Sequence, residues 1–236
     1  MDSKYLKKTT MLDYDNSKIQ QLIHSRLWHK LSEYDAIKCI YNYVRDEIAF
    51  GYNFDDTMTA SEVYEDGYGQ CNTKGTLLMA LLRSVGVACR FHGFTIYNEL
   101  QKGAIPNYIF PLAPQRIIHS WVEVLYQGRW LNLEGYILDK KYLSQIQAKF
   151  ANEHDDFSAY GVATDCLKNP QIEWRGCSTY IQKQGIADDY GLYDQPDDFY
   201  KEYGSNLKGI KRFLFRYLFR HLMNRNVNKI RNQGII

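Results

Sequence analysis

Apolar residues recur at three- and four-residue steps through residues 18–48. In the second half of that stretch Ile37, Ile40, Tyr41, Val44 and Ile48 follow Ser32, a residue suited to cap a helix. Two amphipathic helices are predicted, the second covering a core. Residues 51–69 are rich in Gly, Asp and Tyr without a long apolar run, and read as a loop. A further helix is predicted from Cys71 to Ser84, where Leu77, Leu78, Leu81 and Leu82 form a stripe, Cys71, Gly75, Leu78 and Leu82 lie near one line, and Gly86 stops the run. The period then shortens to that of strands. Residues 87–97, 117–126 and 129–134 read as three strands, the last two joined by Gln127-Gly128.

Between the first two strands, residues 98–116 hold three of the five prolines (Pro106, Pro111, Pro114) and read as a stiff loop beside a site. Periodicity fades after residue 145, and residues 187–198 read as an acidic, Tyr-containing turn region. The final segment is a basic amphipathic helix, with Ile210, Phe213, Leu214, Tyr217, Leu218 and Leu222 along one side and Lys211, Arg212, Arg216 and Arg220 on others.

Composition changes this picture in three respects. With 236 residues, 45% hydrophobic and 24% charged, the chain has room for one sizeable core, and fibrous or disordered classes are disfavoured. No apolar run approaches a membrane span and the N-terminal region lacks a cleavable leader, so the expected location is cytoplasmic. Five cysteines (Cys39, Cys71, Cys89, Cys166, Cys177) without a CxxC pair, and six histidines (His24, His29, His92, His119, His154, His221) without ligand spacing, indicate neither a disulfide framework nor a metal site.

Charge is unevenly spread. Residues 205–236 hold eight cations (Lys208, Lys211, Arg212, Arg216, Arg220, Arg225, Lys229, Arg231) and no carboxylate, which leaves the remainder at −6 within a total of +2. Such a tail can fold back on the chain's own acidic body, lie on an anionic membrane surface, or dock on a phosphate-bearing partner. No aromatic RNA-binding sheet motif, zinc finger or phosphate-cradling glycine loop accompanies it, so no specific nucleic-acid partner is predicted.

The chemistry centres on Cys71. A thiol in the first turn of a helix meets unpaired backbone N–H groups and the positive end of the helix dipole, both of which favour thiolate. An imidazole beside it would stabilise that anion and could protonate a leaving group. His119 supplies one from a strand whose alternation puts His119, Trp121, Glu123 and Leu125 on one face. A hairpin closed by Gln127-Gly128 pairs residues so that Trp121 faces Glu134, and Tyr136 faces His119 if pairing extends so far. Glu134 then becomes a diagonal neighbour of His119. A three-residue loop would reverse the parity and bring Asp139 to that place instead. His92, on another strand, reads as a satisfied edge or core histidine and is the alternative base. Cys39 and Cys89 read as core fillers, and Trp121 and Trp130 first as packing residues.

Three ordered motifs resemble a known family: Tyr68-Gly69-Gln70-Cys71 with its leucine-rich helix, Arg83-Ser84-Val85-Gly86-Val87-Ala88-Cys89-Arg90, and His119-Ser120-Trp121-Val122-Glu123-Val124, preceded by the helix of residues 40–48. Over about residues 35–140 the chain resembles the transglutaminase-like cysteine-enzyme superfamily. The resemblance implies an α+β, papain-like fold, with a helix-borne Cys packed on a small antiparallel sheet and, here, a C-terminal extension ending in a basic helix. On this reading residues 1–145 form the catalytic core, 146–204 an accessory region packed on it, and 205–236 the helical tail.

The resemblance further implies a Cys71-His119-Glu134 triad, no cofactor, and amides of proteins or peptides as substrates, attacked through a thioester. Where many relatives have Asp, this chain reads Trp130-Leu131-Asn132-Leu133-Glu134-Gly135, an acid one methylene longer. Gln70, Tyr68 and Trp121 are the candidates for oxyanion or cleft residues, beside the Cys71 backbone N–H. Peptidase, deamidase and cross-linking outcomes stay open, with hydrolysis placed first because no acceptor tunnel is visible. The other open reading is an inactive papain-like module that binds a partner through its Pro-rich loop and basic tail.

Overall fold

The structure, a computed structural model, describes residues 3–153, 156–207 and 209–235; His154 and Lys208 of the sets named above lie outside them. The first helix, α1 (Ser17–Ser25), starts where the Asn16 side chain accepts the Lys18 amide, and α2 (Glu33–Asp46) where Ser32 accepts that of Asp35. Ile37, Ile40, Tyr41 and Val44 of α2 are buried as their spacing requires. Cys39, expected in the core, is exposed, because a residue two positions after Ile37 points away from that face.

The stretch expected to be a loop contains a short parallel pair, β1 (Ala49–Phe50) and β2 (Tyr68–Gly69), and a helix, α3 (Ala60–Asp66). The helix is begun by a reciprocal cap between Thr59 and Glu62, a T-x-x-E signal that short apolar runs concealed. Next comes α4 (Cys71–Ser84), every residue of which from Cys71 to Arg83 is buried. It is covered by α2 and α3 on some sides and by the sheet on another, so the apolar stripe is only part of its buried surface.

The sheet runs β5-β4-β3-β8, all neighbours antiparallel, from β3 (Cys89–Tyr97), β4 (Arg116–Tyr126), β5 (Arg129–Leu133) and β8 (Ile186–Tyr193). Gln127 and Gly128 both have positive φ, at 48° and 75°, as a two-residue type I′ hairpin requires. The pairing Val122↔Leu133 through Tyr126↔Arg129 is the one that this turn dictates. The strand β8 corrects the expectation of a turn over residues 187–198. Its acidic residues hide it in the sequence, yet they suit an edge: Asp188 accepts the Thr95 hydroxyl at 2.5 Å and Asp189 meets His92 at 2.9 Å.

Between the hairpin and that edge strand lie α5 (Lys140–Lys149) and a small ribbon, β6 (Phe157–Ala159) with β7 (Val162–Thr164). The division at 145 therefore falls within α5, and the central sheet draws a strand from each side of it. The chain ends in α6 (Pro196–Tyr203), α7 (Gly209–Leu214), a π-helical turn (Phe215–Phe219) and α8 (Arg220–Gln233).

This tail packs against the body. Met223, Val227 and Ile230 join the same apolar cluster as Met11 and Leu12, Arg231 pairs with Asp139 at 2.8 Å, and Arg212 and Arg216 both bind Asp55. Its polarity reverses the expected one near the start. Phe215 and Phe219 turn inward with those arginines, whereas Ile210, Phe213, Tyr217 and Leu218 are outward and exposed. Among the described residues no helix is long and apolar enough to cross a membrane.

Candidate active site

Cys71 opens α4, so its backbone N–H is one of the first-turn donors that has no acceptor within the helix. Its side chain is 7% exposed and donates to Asn72 Oδ1 at 3.6 Å, and its carbonyl accepts the Tyr136 hydroxyl at 3.1 Å. One turn along the helix Gly75 allows that contact, since a Cβ there would sit 2.7 Å from Tyr136 Oη.

His119 and Glu134 are both completely buried, and His119 Nε2 donates to Glu134 Oε1 at 3.1 Å. Glu134 Oε2 accepts the Ile181 and Gln182 amides at 2.9 and 3.1 Å, which fixes the carboxylate from behind. The β4–β5 ladder stops at Val122↔Leu133, so neither Trp121↔Glu134 nor Tyr136↔His119 is a ladder pair. Past the strand, Leu133 bridges instead to Thr179 and the chain bends, which brings Glu134 to the imidazole and Tyr136 beneath Cys71.

Asp139 is committed elsewhere. It accepts the Tyr142 amide as the cap of α5, the Phe50 amide, and the Arg231 guanidinium. Burial pushes its carboxyl up, but Arg231 outweighs that and holds it below the usual range.

Burial would lower the His119 pKa, yet the charge and hydrogen-bonding of Cys71, followed by those of Glu134, outweigh it and push the value up to about 10. Nδ1 makes no regular hydrogen bond, so it is the ring nitrogen left for the sulfur. His92 is satisfied on both nitrogens, by Glu123 at 2.8 Å and Asp189 at 2.9 Å.

Cys71, Gln70 and Asn72 lie on the wall of a cavity of about 330 Å³ bounded by residues of the Pro-rich loop and the tail. Gln70 accepts the Asn53 amide and donates to Asp56 at 3.1 Å. Asp56 also accepts from Asn72 at 3.0 Å and from Asn206 at 3.1 Å, while Asn206 accepts the Ile118 amide at 2.6 Å. Burial pushes the Asp56 carboxyl up. Neither Tyr68 nor Trp121 is on the cavity wall. The Tyr68 hydroxyl accepts from Arg220 at 3.2 Å, and Trp121 packs 4.1 Å from Phe94 because its face of the sheet is covered. Arg90 lies 4.1 Å over Trp130.

Sequence reasoning did not find Asn72, Asp56, Asn206 or the amides of Ile181 and Gln182. Asn72 adjoins Cys71 and could have been suspected; the others arrive from distant loops or act through the backbone, which carries no residue signal.

Residues 23–135 match the model of a family described as the transglutaminase-like superfamily. No curated protein matches the sequence. Among solved structures, one from Cytophaga hutchinsonii named a "Putative Cysteine Protease" is similar at 13% identity with a TM-score of 0.47, over 82% of this chain and 47% of that one. The chain thus spans about half the length of that protein.

Proposed function

From the match of residues 23–135 to the transglutaminase-like superfamily model, we propose that the chain is a cysteine-dependent enzyme acting on amide carbonyls. Cys71 is the nucleophile, His119 the general base and acid, and Glu134 the group that orients the ring. The contact of His119 Nε2 with Glu134 Oε1 at 3.1 Å, both side chains out of solvent, supports this most directly. It leaves Nδ1 for the sulfur, and Cys71, followed by Glu134, favours the protonated ring that the donating step needs.

In this reaction the Cys71 sulfur attacks the carbonyl carbon, and the oxyanion is met by the Cys71 N–H. Gln70, which lines the cavity and whose amide nitrogen carries a second N–H besides the one given to Asp56, is the proposed second donor; Tyr68 and Trp121 are set aside by their positions. The C–N bond breaks as His119 protonates the departing amine, and a thioester remains on Cys71. Water, deprotonated by His119, then releases the carboxylate and restores the thiol. Hydrolysis is proposed ahead of amine transfer. Quenching the full chain with an activated thioester or amide and mapping the acyl adduct by mass tests this. The adduct is expected on Cys71, absent in Cys71→Ala, and slowed by a factor on the order of 100 or more in His119→Ala; an adduct that persists in Cys71→Ala contradicts the assignment.

A further inference from the structure

We propose that the cavity beside Cys71 receives a saturated acyl chain, so that the amide or thioester attacked there carries a fatty acyl group; this rests on the cysteine-enzyme reading above. The walls include the apolar Ile96, Ile105, Ile109, Ile117, Phe215 and Phe219, and Cys71 and Gln70 line the same cavity. The acidic groups on the wall are already engaged. Asp56 accepts from Gln70, Asn72 and Asn206, and Asp55 from Thr57, Arg212 and Arg216. A peptide backbone entering this space would leave water without equivalent partners, whereas an alkyl chain loses nothing.

Size agrees. A cavity of about 330 Å³ is within the range of small-ligand pockets and has room for an alkyl chain of several methylenes. Exposed apolar side chains stand at the cavity beside Lys211: Leu112 of the Pro-rich loop is 51% exposed and Leu214 of α7 is 36% exposed, and the outward Phe213 and Tyr217 lie on the same stretch of the tail as Leu214. In the step itself the sulfur bonds to the acyl carbon and the C–N or C–S bond breaks. The leaving amine or thiolate takes the His119 proton, and water later releases the fatty acid.

The chain can reach the cavity from a soluble N-acyl compound or from an anionic bilayer, which the exposed face of the tail and its cations Lys211, Arg225 and Lys229 would meet. The test is alkylation by straight-chain alkyl bromomethyl ketones, in which sulfur displaces bromide and a C–S bond forms, mapped by mass at each cysteine. The exposed Cys39, Cys166 and Cys177 serve as internal references. The rate at Cys71 is expected to rise by tenfold or more between about two and about eight carbons, and to level off once the cavity is full, with no such trend at the references. Ala113→Phe, which adds a ring at the wall, should flatten the series; the wild-type series decides if that variant does not fold.

A flat wild-type series with iodoacetamide still reacting at Cys71 overturns the acyl-chain assignment alone, as does a stronger preference for peptidyl bromomethyl ketones with apolar side chains. No reaction at Cys71 with any reagent contradicts the cysteine-enzyme reading beneath it. Added anionic vesicles distinguish the sources: acceleration of the long-chain reaction supports delivery from a bilayer, and slowing by sequestration supports a soluble acyl donor.

Discussion

His119 answers to three influences at once: burial that disfavours its charge, and Cys71 and Glu134 that favour it, with the balance at about 10. In Glu134→Gln one of the favouring groups loses its charge. The His119 pKa is therefore expected to fall, and with it the alkaline limb of the pH–rate profile, as ring NMR titration and kinetics would show; an unchanged His119 titration contradicts the proposed role. The sign for stability follows from the same shift. A histidine with its folded pKa raised above 6.5 contributes stability fully below that pH, and the contribution is lost as pH rises through about 10. At this scale the sequence was informative where chain geometry carried the signal. The Gln127-Gly128 turn sets the register of the hairpin as far as Leu133, but the last step, the bend that carries Glu134 to His119, depends on the bridge from Leu133 to Thr179, which local pattern does not reveal. It was silent on Asp56 and Asn206, which reach the site only because loops close on it.

Among the elements, α4 and the β4–β5 hairpin follow from local rules, helical spacing and a turn with two positive φ values. The edge strand β8 and the tail do not. Charge on β8 resembles loop composition until its partner β3 is known, and the tail's inward face is chosen by Asp55 and Asp139, which no pattern within the tail reveals. Arg231 illustrates the energetic consequence. Its guanidinium and the Asp139 carboxylate are almost completely buried, so Arg231→Ala strands a charge that also caps α5. A loss of about 3 kcal/mol or more is expected from urea unfolding. A change below about 0.5 kcal/mol would show that the tail contributes no more than a surface helix does.

At the scale of the whole molecule, one apolar cluster extends from Met11 to Ile230, and the sheet draws strands from both halves of the chain. Residues of all three parts, 1–145, 146–204 and 205–236, thus contribute to one core. Thermal unfolding is expected as one transition, with circular dichroism and the fluorescence of Trp28, Trp121, Trp130 and Trp174 coincident. Separate transitions for tail and body would contradict a shared core. A chain shortened at Gly204 is a poor probe of tail binding for the same reason, since Met223, Val227 and Ile230 leave with it. Substitution of the outward Phe213 and Tyr217 by Asp leaves those contacts in place. Loss of salt-sensitive vesicle binding in that variant is the expected outcome if the tail meets an anionic membrane.

The most direct test of the Cys71-His119-Glu134 unit is the rate of iodoacetamide alkylation at Cys71 across pH, read by mass at that residue, in the wild type and in His119→Ala. The wild type is expected to react well below about pH 8, and His119→Ala to lose tenfold or more of that rate at neutral pH, about the scale of an unassisted thiol. Superimposable profiles, or a Cys71 inert until the chain unfolds, would contradict the account.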